Sequence, residues 1–215
     1  KPARSPAAAL SYIRLALSSR TVRDAPTENR AAKIVLKRGR TRIRVGYISP
    51  DFKRHSVFYF IHPILKAHDR SAIECYCYSD VLRPDDATQQ LVSAADHWWD
   101  ISRLNDEQVF RQIRDDEIDI LVDLAGHTDR NRLPLFATRP APVQVSWIGY
   151  PDTTGLCAMD YRFTDSRADP EGTSDVLHTE TLVRLESGFL CYEPPASSPD
   201  PAHPPARRNG YITFG

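Results

Sequence analysis

Hydrophobic positions in this chain alternate between two periods. From Arg42 to Ser49 apolar and β-branched residues (Ile43, Val45, Tyr47, Ile48) read as a strand. A helical stretch follows at about residues 56–66, with Val57, Phe58, Phe60, Ile61, Ile64 and Leu65. The same exchange then repeats. Strands are predicted at 73–79, 98–101, 118–124, 143–148, 161–164 and 181–185, with helices at about 87–95, 105–113 and 133–138. The run Ile120-Leu121-Val122 shows almost no polar alternation, as expected of a parallel strand buried on both faces. Strands alternating with helices imply βαβ crossovers, an α/β fold and a Rossmann-like parallel sheet.

The pattern weakens at both ends. Residues 1–40 read as an appendage: an amphipathic helix over Ala7–Ser19, then a polar, basic linker. Residues 41–192 form the Rossmann-like domain. Residues 193–209 carry Pro194, Pro195, Pro199, Pro201, Pro204 and Pro205 and read as an interdomain linker, since proline cannot enter a sheet interior. Residues 210–215, with Tyr211, Ile212 and Phe214, read as the first strand of a further domain.

Composition removes some function classes. Lys+Arg and Asp+Glu both number 28 in the 215 residues, so there is no basic excess of the kind a dedicated nucleic-acid binder shows. No apolar run reaches the roughly 18 residues of a membrane span, and no signal-peptide core is seen, so the expected location is cytoplasmic. The four cysteines include no CxxC pair. Cys75 and Cys77 fall on one strand face and are poorly placed to bridge, so all four are expected as free thiols.

Chemistry-bearing residues gather after three of the predicted strands. Asp51 and His55 follow the first. Asp123-Leu124-Ala125-Gly126-His127-Thr128 closes another. Trp147-Ile148-Gly149-Tyr150-Pro151-Asp152-Thr153-Thr154-Gly155 closes a third. In an open parallel sheet these ends share one edge, where ligands bind. A neutral imidazole can take a proton at physiological pH, which makes His55 a candidate base. Asp51 is expected either to cap the next helix or to orient His55. His127 is a turn residue or a ligand contact, and Gly149 allows a tight turn or a close ligand approach. His62 and His68 are expected at solvent or on the helix packing surface, and Trp98 and Trp99 in core and edge packing. Asp85-Asp86 is expected to be a helix cap. There is no P-loop, no GxGxxG, and no Asp–any–Asp at a strand end: Asp119 and Asp123 have the wrong spacing.

Three segments resemble the catalytic region of the O-linked N-acetylglucosamine transferase family, in particular its bacterial and plant SPINDLY-like members. They are RIRVGYISPDFKRHSVFYF, DILVDLAGHTDRNRLPLFATRPAPVQVSWIGYPDTTG and MDYRFTD, within about residues 42–190. The resemblance implies the N-terminal half of a GT-B glycosyltransferase, preceded by a link from a tetratricopeptide array. It implies inverting transfer of N-acetylglucosamine from UDP-N-acetylglucosamine to Ser/Thr hydroxyls of proteins, with no cofactor and no required metal. A C-terminal catalytic half would carry most contacts to the nucleotide. By the same resemblance His55 and Asp51 are catalytic, and Ile148, Gly149, Tyr150 and Pro151 lie near the donor sugar, with His127 and Thr154 also expected to bind substrate. Two alternatives stay open. One is a protein O-fucosyltransferase using GDP-fucose, and the other is a non-catalytic nucleotide-sugar-binding protein.

Overall fold

The computed structural model describes residues 40–195, 197–200 and 202–214. The expected helix over Ala7–Ser19 lies outside the described residues, as does the linker behind it up to residue 39. Seven strands form one sheet: β1 Ile43–Ser49, β2 Ile73–Ser79, β3 His97–Asp100, β4 Ile120–Asp123, β5 Val143–Ser146, β6 Tyr161–Thr164 and β7 Thr181–Arg184. Their order is β3-β2-β1-β4-β5-β6-β7, and every neighbouring pair is parallel. The register sets Tyr47 beside Cys77 on one side and Val122 on the other.

The helices sort by sheet face. Helices α1 (Ser56–Ala67) and α2 (Asp86–Ala94) cover one face, packing Val57, Ile61, Leu65 and Leu91 on Val45, Tyr47, Cys75, Val122 and Val145. Helices α3 (Asp106–Asp115) and α4 (Leu133–Ala137) cover the other, packing Val109, Ile113, Leu135 and Phe136 near Ile48, Tyr78 and Leu121. Residues 45 and 47 face one layer and residue 48 the other, as the two-residue period of a strand requires. The chain runs β1-α1-β2-α2-β3 outward on one side of β1, then returns through α3 to place β4 on the other. The direction of strand order therefore reverses between β1 and β4, and open α/β sheets bind ligands in the crevice outside the carboxyl ends of the strands at such a point.

Caps are local and follow the expected chemistry. Asp85 opens α2 and Asn105 opens α3, each through a reciprocal capping box with Thr88 and Gln108. All four cysteines are free. Trp98 packs at a tilt against buried Phe52, and its neighbour Trp99 stands exposed on the edge strand.

The structure sharpens or corrects several expectations. Of the two readings of His68, the packing surface holds: it is buried, with the Tyr47 hydroxyl 3.0 Å from its Nε2. Strands β4 and β5 are shorter than predicted. β5 ends at Ser146, just before Ile148, whose φ of 52° leaves the extended region. The proline-rich segment contains a fifth helix, α5 (Pro205–Asn209), opened by proline at its first position and closed by Gly210 at φ 77°. Residues 211–214 form no strand; Tyr211, Ile212 and Phe214 are exposed, with no neighbouring strand among the described residues to complete their backbone bonds.

Candidate active site

The turn after β1 is held from both sides. Asp51 N–H donates to Ser49 Oγ at 2.9 Å, which fixes the exit from the strand. Phe52 is fully buried, and its carbonyl accepts from Thr88 Oγ1 on α2 at 2.7 Å. Arg54 N–H donates to Asp85 at 2.8 Å. These anchors deliver His55 as the N-cap of α1, in extended backbone, with Nδ1 accepting from Val57 N–H at 3.3 Å. Asp51 does not cap the helix, because His55 occupies that position. Its carboxylate stands 3.8 Å from His55 Nδ1, beyond hydrogen-bond length.

The turn after β4 emerges beside it: Ile48 and Asp123 are register partners, and Leu124 N–H donates to Ile48 O at 3.1 Å. Asp123 is 1% exposed. Its carboxylate accepts from Ala125 N–H at 3.1 Å and Gly126 N–H at 2.8 Å, curling the chain at once. Burial lifts this carboxyl to about 6, against the pull of those two N–H groups and of His127. Gly126 takes φ 57°, and a Cβ there would lie 2.3 Å from Tyr150 Cβ. His127 is exposed on this turn, sits edge-on to Tyr150 at 5.2 Å, and meets Thr154 O through Nε2 at 3.0 Å.

The segment after β5 packs on the β4 turn. A Cβ on Gly149 would lie 2.0 Å from Leu124 O, so the space its missing side chain frees is filled by the chain itself. Ile148, β-branched at φ 52°, is a strained residue of the kind found at functional sites. Arg162 on β6 is 2% exposed and donates to Tyr150 O at 2.9 Å and Asp152 O at 3.0 Å. Glu180, 4% exposed, accepts from Thr154 N–H and Thr153 Oγ1, each at 2.7 Å, and from Thr154 Oγ1. Burial pushes the Glu180 carboxyl up, and the bonds donated by Thr154 and Thr153 outweigh it and leave the group below the usual carboxylate range.

The expected residues therefore fall into two groups on adjacent strand ends. Asp51 and His55 form one; His127, Gly149, Tyr150 and Thr154 form the other, with Ile148 and exposed Pro151 on the same segment. Asp123 was marked only as part of its strand-end segment, and Arg162 and Glu180 were not among the expected site residues. Asp123 carried a signal, a carboxylate ending a continuous apolar strand. Arg162 lies in the MDYRFTD segment, but nothing there marked its role, and Glu180 carried no signal, since their partners lie 10 to 27 residues away.

A seven-stranded parallel sheet with acids and imidazoles at its switch point defines a Rossmann-like α/β domain with a ligand crevice. The model of Glycosyl transferase family 41 matches residues 11–193, and the chain belongs to that family. It is 45% identical over 175 residues to a Petunia hybrida protein named "Probable UDP-N-acetylglucosamine--peptide N-acetylglucosaminyltransferase SPINDLY", covering 80% of this chain and 19% of that one. It is 38% identical over 153 residues to the UDP-N-acetylglucosamine--peptide N-acetylglucosaminyltransferase of Caenorhabditis elegans, covering 69% of this chain and 13% of that protein. A solved mutant O-GlcNAc transferase from Thermobaculum terrenum superposes with a TM-score of 0.70 at 47% identity, over 72% of this chain and 30% of that one. The chain spans about a fifth or less of the length of these curated relatives.

Proposed function

We propose that this chain is the N-terminal half of the catalytic region of an inverting glycosyltransferase. In this reading the whole enzyme moves N-acetylglucosamine from UDP-N-acetylglucosamine to Ser/Thr hydroxyls of proteins. The observation that carries the proposal is the pairing of Asp51 with His55 on the β1 turn at the switch point, in a member of family 41. The names of the relatives supply the donor.

The chain's residues suggest how the step would run. The acceptor hydroxyl gives its proton to His55 Nε2, and its oxygen bonds to the anomeric carbon as the bond to the diphosphate breaks. The electron pair leaves on the diphosphate. In the neutral ring His55 Nδ1 accepts the Val57 N–H, so Nε2 carries the hydrogen. Acting as a base at Nε2 therefore requires the cap to open and Nδ1–H to turn toward Asp51. No metal enters the proposal: Asp119 is tied to Arg40 and lies at the opposite end of β4 from Asp123, so β4 offers no acid pair at the crevice. A C-terminal catalytic half, in the same chain or another, would hold the nucleotide. The proposed location is cytoplasmic, supported by four free thiols; among the described residues no helix is long and apolar enough to cross a membrane.

The test is transfer of labelled sugar to a protein acceptor by the full-length enzyme, with UDP-N-acetylglucosamine and GDP-fucose run in parallel. Transfer from UDP-N-acetylglucosamine that is lost in His55→Ala, with donor binding kept, is the expected result. Transfer only from GDP-fucose would replace the donor. Nucleotide binding without transfer from either would replace the enzyme with a binding protein, and full activity in His55→Ala would remove His55 as base.

A further inference from the structure

The two crevice imidazoles differ in which nitrogen is free. Thr154 O is a carbonyl and can only accept, so His127 Nε2 must carry a hydrogen. The lone pair of neutral His127 is then on Nδ1, which has no hydrogen-bond partner among the described residues and belongs to an exposed side chain at the crevice. At His55 the lone pair of the neutral ring is already used by the Val57 N–H. Of the two rings, His127 is the one that presents an open acceptor without moving.

That state depends on a chain of contacts. Thr154 O is where it is because Thr154 N–H and Oγ1 both end on Glu180, and Thr153 Oγ1 ends on the other oxygen of the same carboxylate. Glu180 immediately precedes β7, so the anchor is built at the start of a sheet strand. The Tyr150 ring, edge-on to His127, limits rotation of the imidazole.

We propose that Glu180 is a positioning residue for His127: through Thr154 it fixes the Nε2–H tautomer and presents Nδ1 to a hydroxyl of the ligand in the crevice. The role as a hydroxyl acceptor rests on the glycosyltransferase reading above. The tautomer does not. Two ligands of that reaction bring hydroxyls, the sugar of the donor and the Ser/Thr of the acceptor, and either fits an imidazole nitrogen.

The test has two arms. In the first, this chain is labelled with 15N-histidine and its imidazole nitrogens are read by long-range 15N–1H correlation above the titration range, with His127→Gln giving the assignment. The expected result is a single Nε2–H form for His127, drifting in Glu180→Gln toward the mixture shown by free histidine. A mixed or Nδ1–H form in the unsubstituted chain overturns the proposal, as does an unchanged tautomer in folded Glu180→Gln. The unsubstituted chain decides the tautomer even if that variant does not fold. In the second arm, His127→Gln in the full-length enzyme is expected to raise KM about tenfold, the size of one lost hydrogen bond. A rise for the nucleotide sugar places the hydroxyl on the donor, and a rise for the peptide places it on the acceptor. Unchanged KM for both removes the acceptor role. An enzyme that transfers no sugar under any condition overturns the glycosyltransferase reading and with it that role, while the first arm still decides the positioning claim.

Discussion

The two sides of the crevice are built differently. On the β1 side, Asp51 and His55 stand four residues apart, and the bond that fixes His55 reaches two residues along the same helix start. On the β4–β5 side, His127 is set by Thr154, Thr154 by Glu180, and Gly149 by the backbone of Leu124. The first side is a local turn with a side chain that has two alternative partners. The second is a long-range clamp with few alternatives. In the proposed reaction the moving proton belongs to the first side and the fixed template to the second.

The largest expected effect probes the clamp. Gly149→Ala puts a Cβ into the Leu124 carbonyl, which cannot yield as a flexible side chain would. A loss of more than about 3 kcal/mol is expected in denaturant unfolding; near-wild-type stability would show that the two turns are not packed as described. Next is Glu180→Ala, which leaves the buried Thr154 N–H unpaired and takes away the carboxylate that the Thr153 and Thr154 hydroxyls share. It should cost about 2–3 kcal/mol, again read from unfolding curves, with faster hydrogen exchange at Thr154.

A third prediction concerns pH. The folded pKa of Asp123, about 6, lies above the ordinary 3.8. Between those values the native state holds a proton that the unfolded chain has released, so stability falls as pH rises from about 4 to 6 and is flat above. The swing is on the order of 2–3 kcal/mol. Asp123→Asn should flatten that window, and an unchanged slope would assign it to other groups. The smallest effect is on the first side. His55→Ala loses one long cap bond and should cost about 0.5–1 kcal/mol. A larger loss would mean that the β1 turn is as rigid as the clamp.

The same contrast explains what could be read from sequence. The strand–helix alternation marked every strand of the sheet, because continuous apolar runs such as Ile120-Leu121-Val122 have few other uses. The Asp51–His55 pair was legible because its spacing is itself the geometry. The split of site residues into a turn and a clamp was not legible. Arg162 sits in Tyr-Arg-Phe-Thr, where nothing local shows that the arginine points inward to two carbonyls. Glu180 precedes a strand like any solvent-facing acid, and only the crossover after β5 brings Thr153 and Thr154 to it. Gly149 could be read as room for a ligand, whereas the space is taken by the neighbouring turn. Which of its two readings His68 takes was not legible for a related reason: its partner, Tyr47, comes from a strand twenty-one residues earlier.

Arg162 also sets how each side answers to ionic strength. Its guanidinium is enclosed and holds two backbone carbonyls, contacts that mobile ions cannot reach. The β1 turn adds to its backbone anchors the Arg54–Asp86 pair, whose side chains are 68% and 64% exposed and open to screening. Added salt should therefore loosen the turn that carries His55 and leave the segment around Tyr150 in place, so the two walls of one crevice would respond separately to the same solvent.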